Sequence, residues 1–445
     1  MLRSKYLPVM LEWSRAPKSK PLLLWGARQV GKTTLMKEFA AIHYPDHVYL
    51  NFESDRQLHS LFTASLDPER ILRNLSIYLD RPIQPETTLM IFDEIQDCDD
   101  ALNSLKYFAE SETRFHVMAA GSLLGVKHSK KGFPVGQVEF LDVHPLCFLE
   151  FLEMLGHKAL ADYLKGLKNP ELIPQAIHEK LLEKTKEYMW LGGMPEVVAS
   201  YATQPNNFAK LRGIQQQIIR TYQLDFAKYA PAEQVAKIGE MFAQIPLQIS
   251  KENRKFKVSG ISKNARMREY SAALQWLIDA GMIHKVTNIS HIAIPIAAHS
   301  DRDVFKLFLL DTGLLGALLD VPIKTILDQT EMFTSYKGAL TESFVAQQLF
   351  AADIVDIYYW TADNSAEVDF VIQNQERVYP LEVKSGVSVR STSLMKFGER
   401  YQLDFLSRCT AHNFRRDGRI VNYPLYCAQY FPEWTADLFN SHQKL

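Results

Sequence analysis

The feature that most constrains the fold of this chain is the octapeptide Gly26-Ala-Arg-Gln-Val-Gly-Lys-Thr33, which fits the pattern GxxxxGK[ST]. It follows a short apolar run, Leu22–Trp25, and opens a segment with helical character, Thr34–Ala40. Glycines at these positions allow backbone N–H groups to surround a phosphate, and the amino end of a helix adds a positive dipole. An ordinary strand-to-helix turn is the alternative, but the flanking strand and helix favour a phosphate-binding loop.

Each residue of this loop has a predicted part in binding a nucleoside triphosphate. Lys32 is expected to neutralise the β- and γ-phosphates, and Thr33 to ligate Mg²⁺. The remaining predicted contacts are Gly26, Ala27, Arg28, Gln29, Val30, Gly31 and Thr34.

A second element that fits the loop is the strand-like run Thr88–Phe92, which ends in two acids, Asp93 and Glu94. We predict that Asp93 belongs to the magnesium shell and that Glu94 polarises the attacking water as the catalytic base. Adjacent acids after a strand are also common loop chemistry, and it is the pairing with the phosphate loop that indicates hydrolysis. Ser122 follows the next apolar strand, where it is either a γ-phosphate sensor or part of a plain turn.

The order of apolar runs indicates an α/β fold followed by further domains. Between Pro21 and Pro145, short apolar runs alternate with helical segments, which is typical of a parallel sheet buried on both faces. The pattern then becomes helical. We predict an ATPase-type core at 1–150, a helical lid at 151–230, a winged-helix domain at 231–331 and a second α/β domain at 332–445.

The winged-helix prediction rests on two helical patterns followed by β-like runs, which are Ile283–Val286, His291–Pro295 and Phe305–Leu309. Basic residues concentrate in and ahead of the expected recognition helix. They are Lys251, Arg254, Lys255, Lys257, Lys263, Arg266 and Arg268. Such a loop can contact DNA phosphates, although a solvated face or a protein-binding surface explains the same charges.

Several motifs together resemble a prokaryotic AAA-superfamily ATPase family with a nuclease-like carboxy-terminal domain of unknown function. They are the phosphate loop, Phe92–Gln96, Ala120–Ser122, Pro145–Phe151 and Gly192–Pro195. The resemblance covers almost the whole chain and implies a P-loop RecA-like core that uses ATP. It also implies that Pro195 approaches adenine from the lid, where the alternative is a helix-breaking turn.

The chain departs from this family at one position. Members often carry arginine after a glycine before the last core strand, but here Gly136 is followed by Gln137. The source of transition-state positive charge is therefore open. A neighbouring subunit is one candidate source, which makes a homo-oligomer or another protein a predicted partner.

The carboxy-terminal segment resembles the PD-(D/E)XK nuclease signature of a restriction-endonuclease-like α/β fold. The matching residues are Asp369, Glu382 and Lys384, and alternation along a strand puts the last two on one face. The resemblance implies that Asp369 and Glu382 bind magnesium, that Lys384 orients or deprotonates water, and that Glu342 completes the metal site. A surface salt-bridge network is the alternative.

Composition narrows the function classes only slightly. A net charge of −1 argues against a bulk electrostatic nucleic-acid binder, and four separated cysteines predict neither a disulfide framework nor a zinc site. The separated cysteines predict a protein of the reduced cytoplasm, and the charged interruptions in its apolar runs predict no membrane partner. Two hypotheses follow: an ATPase that couples nucleotide state to DNA binding or processing, and a nucleotide-gated switch whose last domain only binds DNA or protein.

Overall fold

The computed structural model of the chain describes residues 3–85, 87–121, 136–251, 254–323, 334–354, 356–362, 366–386, 390–431 and 433–435. The chain divides into two compact units. The first comprises Met1–His144 with Asp279–Gly281, and the second comprises Pro145–Ile278 with Met282–Leu445. None of the helices within these described ranges combines the length and apolar character needed to cross a membrane.

The first unit is built on a five-stranded sheet in the order β2-β3-β4-β1-β5, with all neighbours parallel. Its strands are β1 Leu22–Trp25, β2 Asp46–Asn51, β3 Thr88–Asp93, β4 His116–Ala120 and β5 Glu139–Asp142. Its helices are α1 Leu7–Arg15, α2 Lys32–His43, α3 Gln57–Thr63, α4 Pro68–Tyr78 and α5 Asp99–Glu110, with a 3₁₀ turn at Ile95–Asp97.

The parallel sheet predicted from the apolar runs is confirmed. Strands β3 and β4 are buried along their whole length, as expected when helices cover both faces. A chain of edge-to-face aromatic contacts links Phe62 to Phe92, Phe92 to Phe108 and Phe108 to Phe115. Each such pair contributes about 0.5–1.5 kcal/mol beyond the burial of its area. This packing fixes the carboxyl end of β3, where the two acids lie.

The second unit begins with helices and continues into a mixed sheet. The helices are α6 Phe148–Met154, α7 Lys158–Gly166, α8 Gln175–Leu191, α9 Pro195–Thr203, α10 Phe208–Tyr229, α11 Val235–Ile249, α12 Met267–Asp279, α13 Thr312–Leu318, α14 Thr334–Ala351 and α15 Thr392–Arg400. The strands are β6 Ile283–Ile289, β7 Ser300–Leu309, β8 Ile357–Ala362, β9 Ala366–Asn374, β10 Arg377–Val383, β11 Leu406–Thr410, β12 Arg415–Asp417 and β13 Ile420–Pro424. Further 3₁₀ turns lie at Val258–Gly260, Ile296–His299 and Leu425–Tyr430.

These eight strands form a single sheet in the order β12-β13-β11-β10-β9-β8-β6-β7. The two strands of the middle segment therefore continue the carboxy-terminal sheet, because β6 pairs in parallel with β8. Two helices and an antiparallel strand pair are present where a winged helix is expected, but the strand pair belongs to this larger sheet. The winged-helix and four-domain assignments stay predictions.

One strand prediction is wrong. Residues His291–Pro295 form a loop, and the second strand of the pair is Ser300–Leu309. Proline has no backbone N–H to donate to a sheet ladder, which disfavours a strand through Pro295. The true strand starts only after the 3₁₀ turn that follows this proline.

Candidate functional site

The phosphate-loop sequence forms a tight turn between β1 and α2. Gly26 and Gly31 adopt φ values of 144° and 96°, in the region that favours glycine. A Cβ atom on Gly26 would lie 2.1 Å from the carbonyl oxygen of Val143, so no larger residue fits there. The turn ends where Lys32 begins α2, and the first N–H groups of this helix are directed toward the loop.

The Lys32 side chain is held inside the loop. Its side chain is only 7% exposed, and its Nζ donates to the carbonyl oxygens of Gly26, at 2.9 Å, and Ala27, at 2.7 Å. Burial lowers the pKa of Lys32 to about 8, while Glu94 and Asp93 oppose this shift. The ammonium is thus poorly solvated and bound by neutral carbonyls, so it is suited to donate hydrogen bonds to phosphate oxygens.

Asp93 is the centre of a small hydrogen-bond network. Its Oδ2 accepts from the Thr33 hydroxyl at 2.8 Å and from the Tyr49 hydroxyl at 2.7 Å. Its Oδ1 accepts from the Glu94 backbone N–H at 3.1 Å. The hydroxyl of Thr33 and the carboxylate of Asp93 are the kind of oxygen donors that Mg²⁺ prefers, so these residues fit the predicted metal position.

Tyr49 was not predicted as a site residue. It lies on β2, which runs parallel to β3, and the Lys37 ammonium sits 3.4 Å from the centre of its ring. Burial is the main cause that raises the pKa of Tyr49 to about 12, so the hydroxyl stays protonated as a donor to Asp93. A polar side chain near the carboxyl end of the strand beside β3 is the signal that could have identified it.

Glu94 follows β3 with a left-handed backbone conformation, φ 49° and ψ 40°. Its Oε2 accepts from Gln96 Nε2 at 2.5 Å, and Gln96 is itself only 1% exposed. The turn and the amide together fix the direction of the Glu94 carboxylate. Gln96 was part of a recognised motif, but its function as a positioning residue was not predicted.

The other predicted nucleotide contacts occupy the same loop with different surroundings. Val30 is fully buried, and its carbonyl accepts from the Arg3 guanidinium at 3.0 Å. The Arg28 guanidinium is close enough to lower the pKa of Lys32. Gln29 has φ 65° and is exposed, and Thr34 is an exposed residue of the first turn of α2.

The sheet order places β4 between the phosphate-loop strand β1 and the acidic strand β3. Ser122, the predicted γ-phosphate sensor, lies outside the described residues. Gln137, at the position where the family resemblance expects arginine, donates to Glu110 at 3.4 Å on the exposed surface.

The carboxy-terminal site residues lie on neighbouring elements of the second unit. Strands β9 and β10 are antiparallel, and the pairing of Phe370 with Leu381 places Asp369 opposite Glu382 on one face. Asp369 Oδ2 accepts from the Val383 N–H at 2.7 Å. The Lys384 ammonium is 3.0 Å from Glu382 Oε1, and burial raises the pKa of Glu382 against the opposing effect of this cation.

A buried lysine that was not predicted as a site residue joins the remaining acids. The Nζ of Lys306 lies 2.8 Å from Glu342 Oε1, 2.6 Å from Glu367 Oε1 and 3.9 Å from Asp369 Oδ1. Arg254 pairs with the second oxygen of Glu342. We call these five residues the Lys306 cluster. The signal in the sequence was a charged residue inside an otherwise apolar strand, Phe305–Leu309.

The predicted metal ligands Glu342, Asp369 and Glu382 are thus brought to one region, but Glu342 and Asp369 meet at an ammonium group. Within the part of the chain that the structure describes, no group of three or more His, Cys, Asp or Glu side chains is arranged to hold a metal ion. The geometry expected for a three-carboxylate magnesium site is therefore not present there.

Comparison with known families decides the assignment of the first site. Residues 18–152 match the family model described as an AAA domain. The chain therefore carries an AAA domain and is an ATPase. Two further matches are to domains of unknown function, DUF8612 at residues 182–325 of the ATPase and DUF4143 at residues 337–428. A search of curated proteins gave no match.

Several solved structures are similar to the ATPase at low sequence identity. The Walker-type ATPase PABY2304 of Pyrococcus abyssi has a TM-score of 0.46 and 14% identity, covering 71% of this chain and 95% of that chain. The Aeropyrum pernix ORC1 protein, in complex with DNA, has a TM-score of 0.29 and 15% identity, with coverage of 73% and 94%. Cdc6p from Pyrobaculum aerophilum has a TM-score of 0.25 and 14% identity, with coverage of 73% and 92%.

The Gly192–Pro195 motif of the ATPase has a structural role within the second unit. The Gly193 N–H donates to Asp311 Oδ2 at 2.5 Å, and Asp311 also caps α13 through Leu314 N–H at 3.0 Å. Gln347 on α14 donates to the same carboxylate at 3.1 Å. Pro195 occupies the first turn of α9, and its predicted contact with adenine stays a prediction.

We expect Gly192→Ala to destabilise the ATPase more than Gly156→Ala. Both glycines have a positive φ, 75° and 78°, so both substitutions carry backbone strain, which is larger at Gly192 because its ψ of −170° completes a conformation essentially restricted to glycine. At Gly156 a Cβ meets nothing within 4 Å, whereas at Gly192 it would lie 2.1 Å from Asp311 Oδ1. Displacing this carboxylate should cost about 1–3 kcal/mol more, measurable as the difference in urea unfolding. Equal losses for the two variants would show that Asp311 does not constrain the motif.

Proposed function

We propose that the ATPase hydrolyses ATP at the loop between β1 and α2. Lys32 contacts the β- and γ-phosphates, Thr33 and Asp93 hold Mg²⁺, and Glu94 is the base that activates water. The observation that carries the proposal is the 2.8 Å hydrogen bond between Thr33 Oγ1 and Asp93 Oδ2, which joins the phosphate loop to the acidic strand. The match of this region to an AAA domain supports the assignment.

Each residue of the site has a separate proposed role in phosphoryl transfer. Magnesium, when bound, would neutralise charge on the β- and γ-phosphates. The Lys32 ammonium adds positive charge from inside the loop, and Gln96 keeps the Glu94 carboxylate in one orientation. Because Glu94 follows directly after Asp93, water next to the phosphate lies within reach of its carboxylate.

Transition-state charge from an arginine has to come from another position, because Gln137 is neutral and donates to a surface glutamate. An arginine finger accelerates related reactions by about 10³–10⁵-fold. We propose that the isolated chain turns over slowly and that a second copy or another protein supplies the arginine. A cytoplasmic location fits this proposal.

The proposal extends to DNA through the segment between α11 and α12. Its exposed basic side chains are Lys251, Lys257, Lys263 and Arg266, and Arg268 is exposed in the first turn of α12. Arg254, which belongs to the basic residues predicted to contact DNA, is instead paired with Glu342 inside the second unit. The exposed set can neutralise backbone phosphates and release counterions, which gives sequence-independent affinity. Nucleotide state would then control how the chain binds or processes DNA.

We expect the triple variant Lys257→Gln, Lys263→Gln, Arg266→Gln to bind duplex DNA more weakly and with a smaller salt dependence. Each lost phosphate contact should reduce the slope of log K against log salt by about 1. Fluorescence anisotropy across a salt series measures the slope, and phosphate release with and without DNA measures whether DNA stimulates turnover. The variant should keep basal ATPase activity and lose the stimulation.

A matched control is Lys18→Gln, Lys158→Gln, Lys168→Gln, which removes three exposed lysines at other places on the chain. This control should bind DNA as the wild type does. If both triple variants weaken binding equally, the affinity reflects general charge, and the segment between α11 and α12 is not the DNA contact.

A second candidate function is a nucleotide-gated switch whose carboxy-terminal domain binds DNA or protein without cutting. The ammonium of Lys306 between Glu342 and Glu367 favours it, since these acids already have a cation. Hydrolysis would then reset the binding state.

A further inference from the structure

The carboxylates that a nuclease centre would need are already neutralised by the chain itself. A magnesium ion requires open oxygen ligands at about 2.0–2.1 Å in near-octahedral geometry. The Nζ of Lys306 lies 2.8 Å from Glu342 and 2.6 Å from Glu367, so its ammonium occupies the space between these carboxylates. A divalent cation placed beside this ammonium would be strongly repelled in a buried site.

The position of Lys306 in the sheet prevents it from moving away. Its side chain is only 1% exposed, and its backbone pairs with Val286 in the ladder between β6 and β7. The Tyr359 ring centre lies 4.9 Å from the ammonium. The neighbours of Lys306 along the strand, Phe305 and Leu307, are both buried. The strand pairing fixes the Lys306 backbone, and the burial of its side chain keeps the ammonium in the cluster.

A second cation reinforces the first. Arg254 pairs with Glu342 from the segment that precedes α12, so this acid has one basic partner on each oxygen. The three carboxylates of the cluster therefore share two cations. Such pairing offsets the cost of burying an acid such as Glu342, which is only 1% exposed.

From this geometry we infer that Lys306 permanently replaces a divalent metal ion in the carboxy-terminal site, so that this domain has no metal-dependent nuclease centre. Glu342 and Asp369 then serve to hold the segment that carries Arg254 and Lys306 to the carboxy-terminal segment. The neighbouring pair Glu382 and Lys384 completes a charged but metal-free surface on the same sheet. This inference is independent of ATP hydrolysis, because all of these residues lie in the second unit.

The test measures Mn²⁺ binding to the full, nucleotide-free protein by electron paramagnetic resonance of the free ion. Wild type and Asp369→Asn should bind the same amount of Mn²⁺, since any weak binding at the nucleotide site is common to both. Lys306→Met, in which an apolar side chain of similar length removes the ammonium, should gain one Mn²⁺ per chain. The double variant Lys306→Met/Asp369→Asn should bind no more Mn²⁺ than the wild type.

The outcome that overturns the inference is Mn²⁺ binding by the wild type that Asp369→Asn abolishes. Nicking of supercoiled DNA by the wild type with Mg²⁺ or Mn²⁺, abolished in Lys384→Ala, would overturn it as well. A folded Lys306→Met that gains no Mn²⁺ would show that the lysine does not stand in a metal position. If that variant does not fold, the double variant Lys306→Met/Glu342→Gln takes its place, because it leaves one less acid without a cation. The comparison of wild type with Asp369→Asn remains decisive in either case.

Discussion

Replacing Lys32 with alanine is expected to weaken ATP binding by about 100-fold or more. Hydrogen bonds from a charged group contribute about 1.5–3 kcal/mol each, and the ammonium is placed to make two or more with phosphate oxygens. A tenfold change corresponds to about 1.4 kcal/mol, so the loss of two such bonds gives this magnitude. Calorimetric titration with ATP and Mg²⁺ measures it directly.

The Lys32→Ala substitution should weaken ATP binding without reducing the stability of the folded protein. The pKa of Lys32 falls from 10.5 to about 8 on folding, so the folded state disfavours the ammonium. Because the folded state binds fewer protons, the contribution of this group to stability rises with pH between about 8 and 10.5 and is unfavourable below that range. Removing it should therefore leave the thermal midpoint of the nucleotide-free protein at or above that of the wild type.

The control for this variant is Lys106→Ala, which removes a half-exposed lysine from α5 of the same unit. Its affinity for ATP should equal that of the wild type. Wild-type affinity in Lys32→Ala would refute the assignment of the phosphate loop, whereas lost affinity with a lowered thermal midpoint would reveal misfolding.

Glu94→Gln is expected to reduce ATP hydrolysis by about 10²–10⁴-fold, the range for loss of a general base, while ATP still binds. Glutamine preserves the size of the side chain and keeps an oxygen that can accept from Gln96 Nε2, as Glu94 Oε2 does at 2.5 Å. The negative charge is lost, and with it the ability to take a proton. Single-turnover hydrolysis of radiolabelled ATP separates the chemical step from binding.

Glu110→Gln is a suitable comparison, because Glu110 is a half-exposed acid on the same unit and is not part of the predicted site. It should hydrolyse ATP at the wild-type rate. Undiminished single-turnover hydrolysis by Glu94→Gln would assign the base to another residue.

The parts of the site that the sequence predicts well are those encoded by contiguous residues. The phosphate loop is a local conformation, since two glycines with positive φ and a helix start follow from neighbours in the chain. The approach of Thr33 to Asp93 spans 60 residues, yet the carboxyl ends of parallel strands meet at one edge, which makes it predictable.

The contacts that the sequence does not predict depend on pairing between distant segments of the chain. Tyr49 reaches Asp93 because β2 and β3 are neighbours, and neither residue alone indicates this order. The bond from Gly193 to Asp311 joins residues 118 positions apart, and glycine offers no side chain from which to infer it. The pairing of β6 with β8 also joins distant segments, and no local pattern in either segment indicates it.

The division of charge in the Lys306 cluster bears on how such chains can be reassembled during evolution. Both cations, Arg254 and Lys306, fall within the segment matched at 182–325, and all three acids fall within the segment matched at 337–428. A recombination event that exchanged only one of these segments would bury acids without cations or cations without acids. The two segments should therefore be inherited as a pair, and a homologue that has changed the lysine should have changed its acids as well.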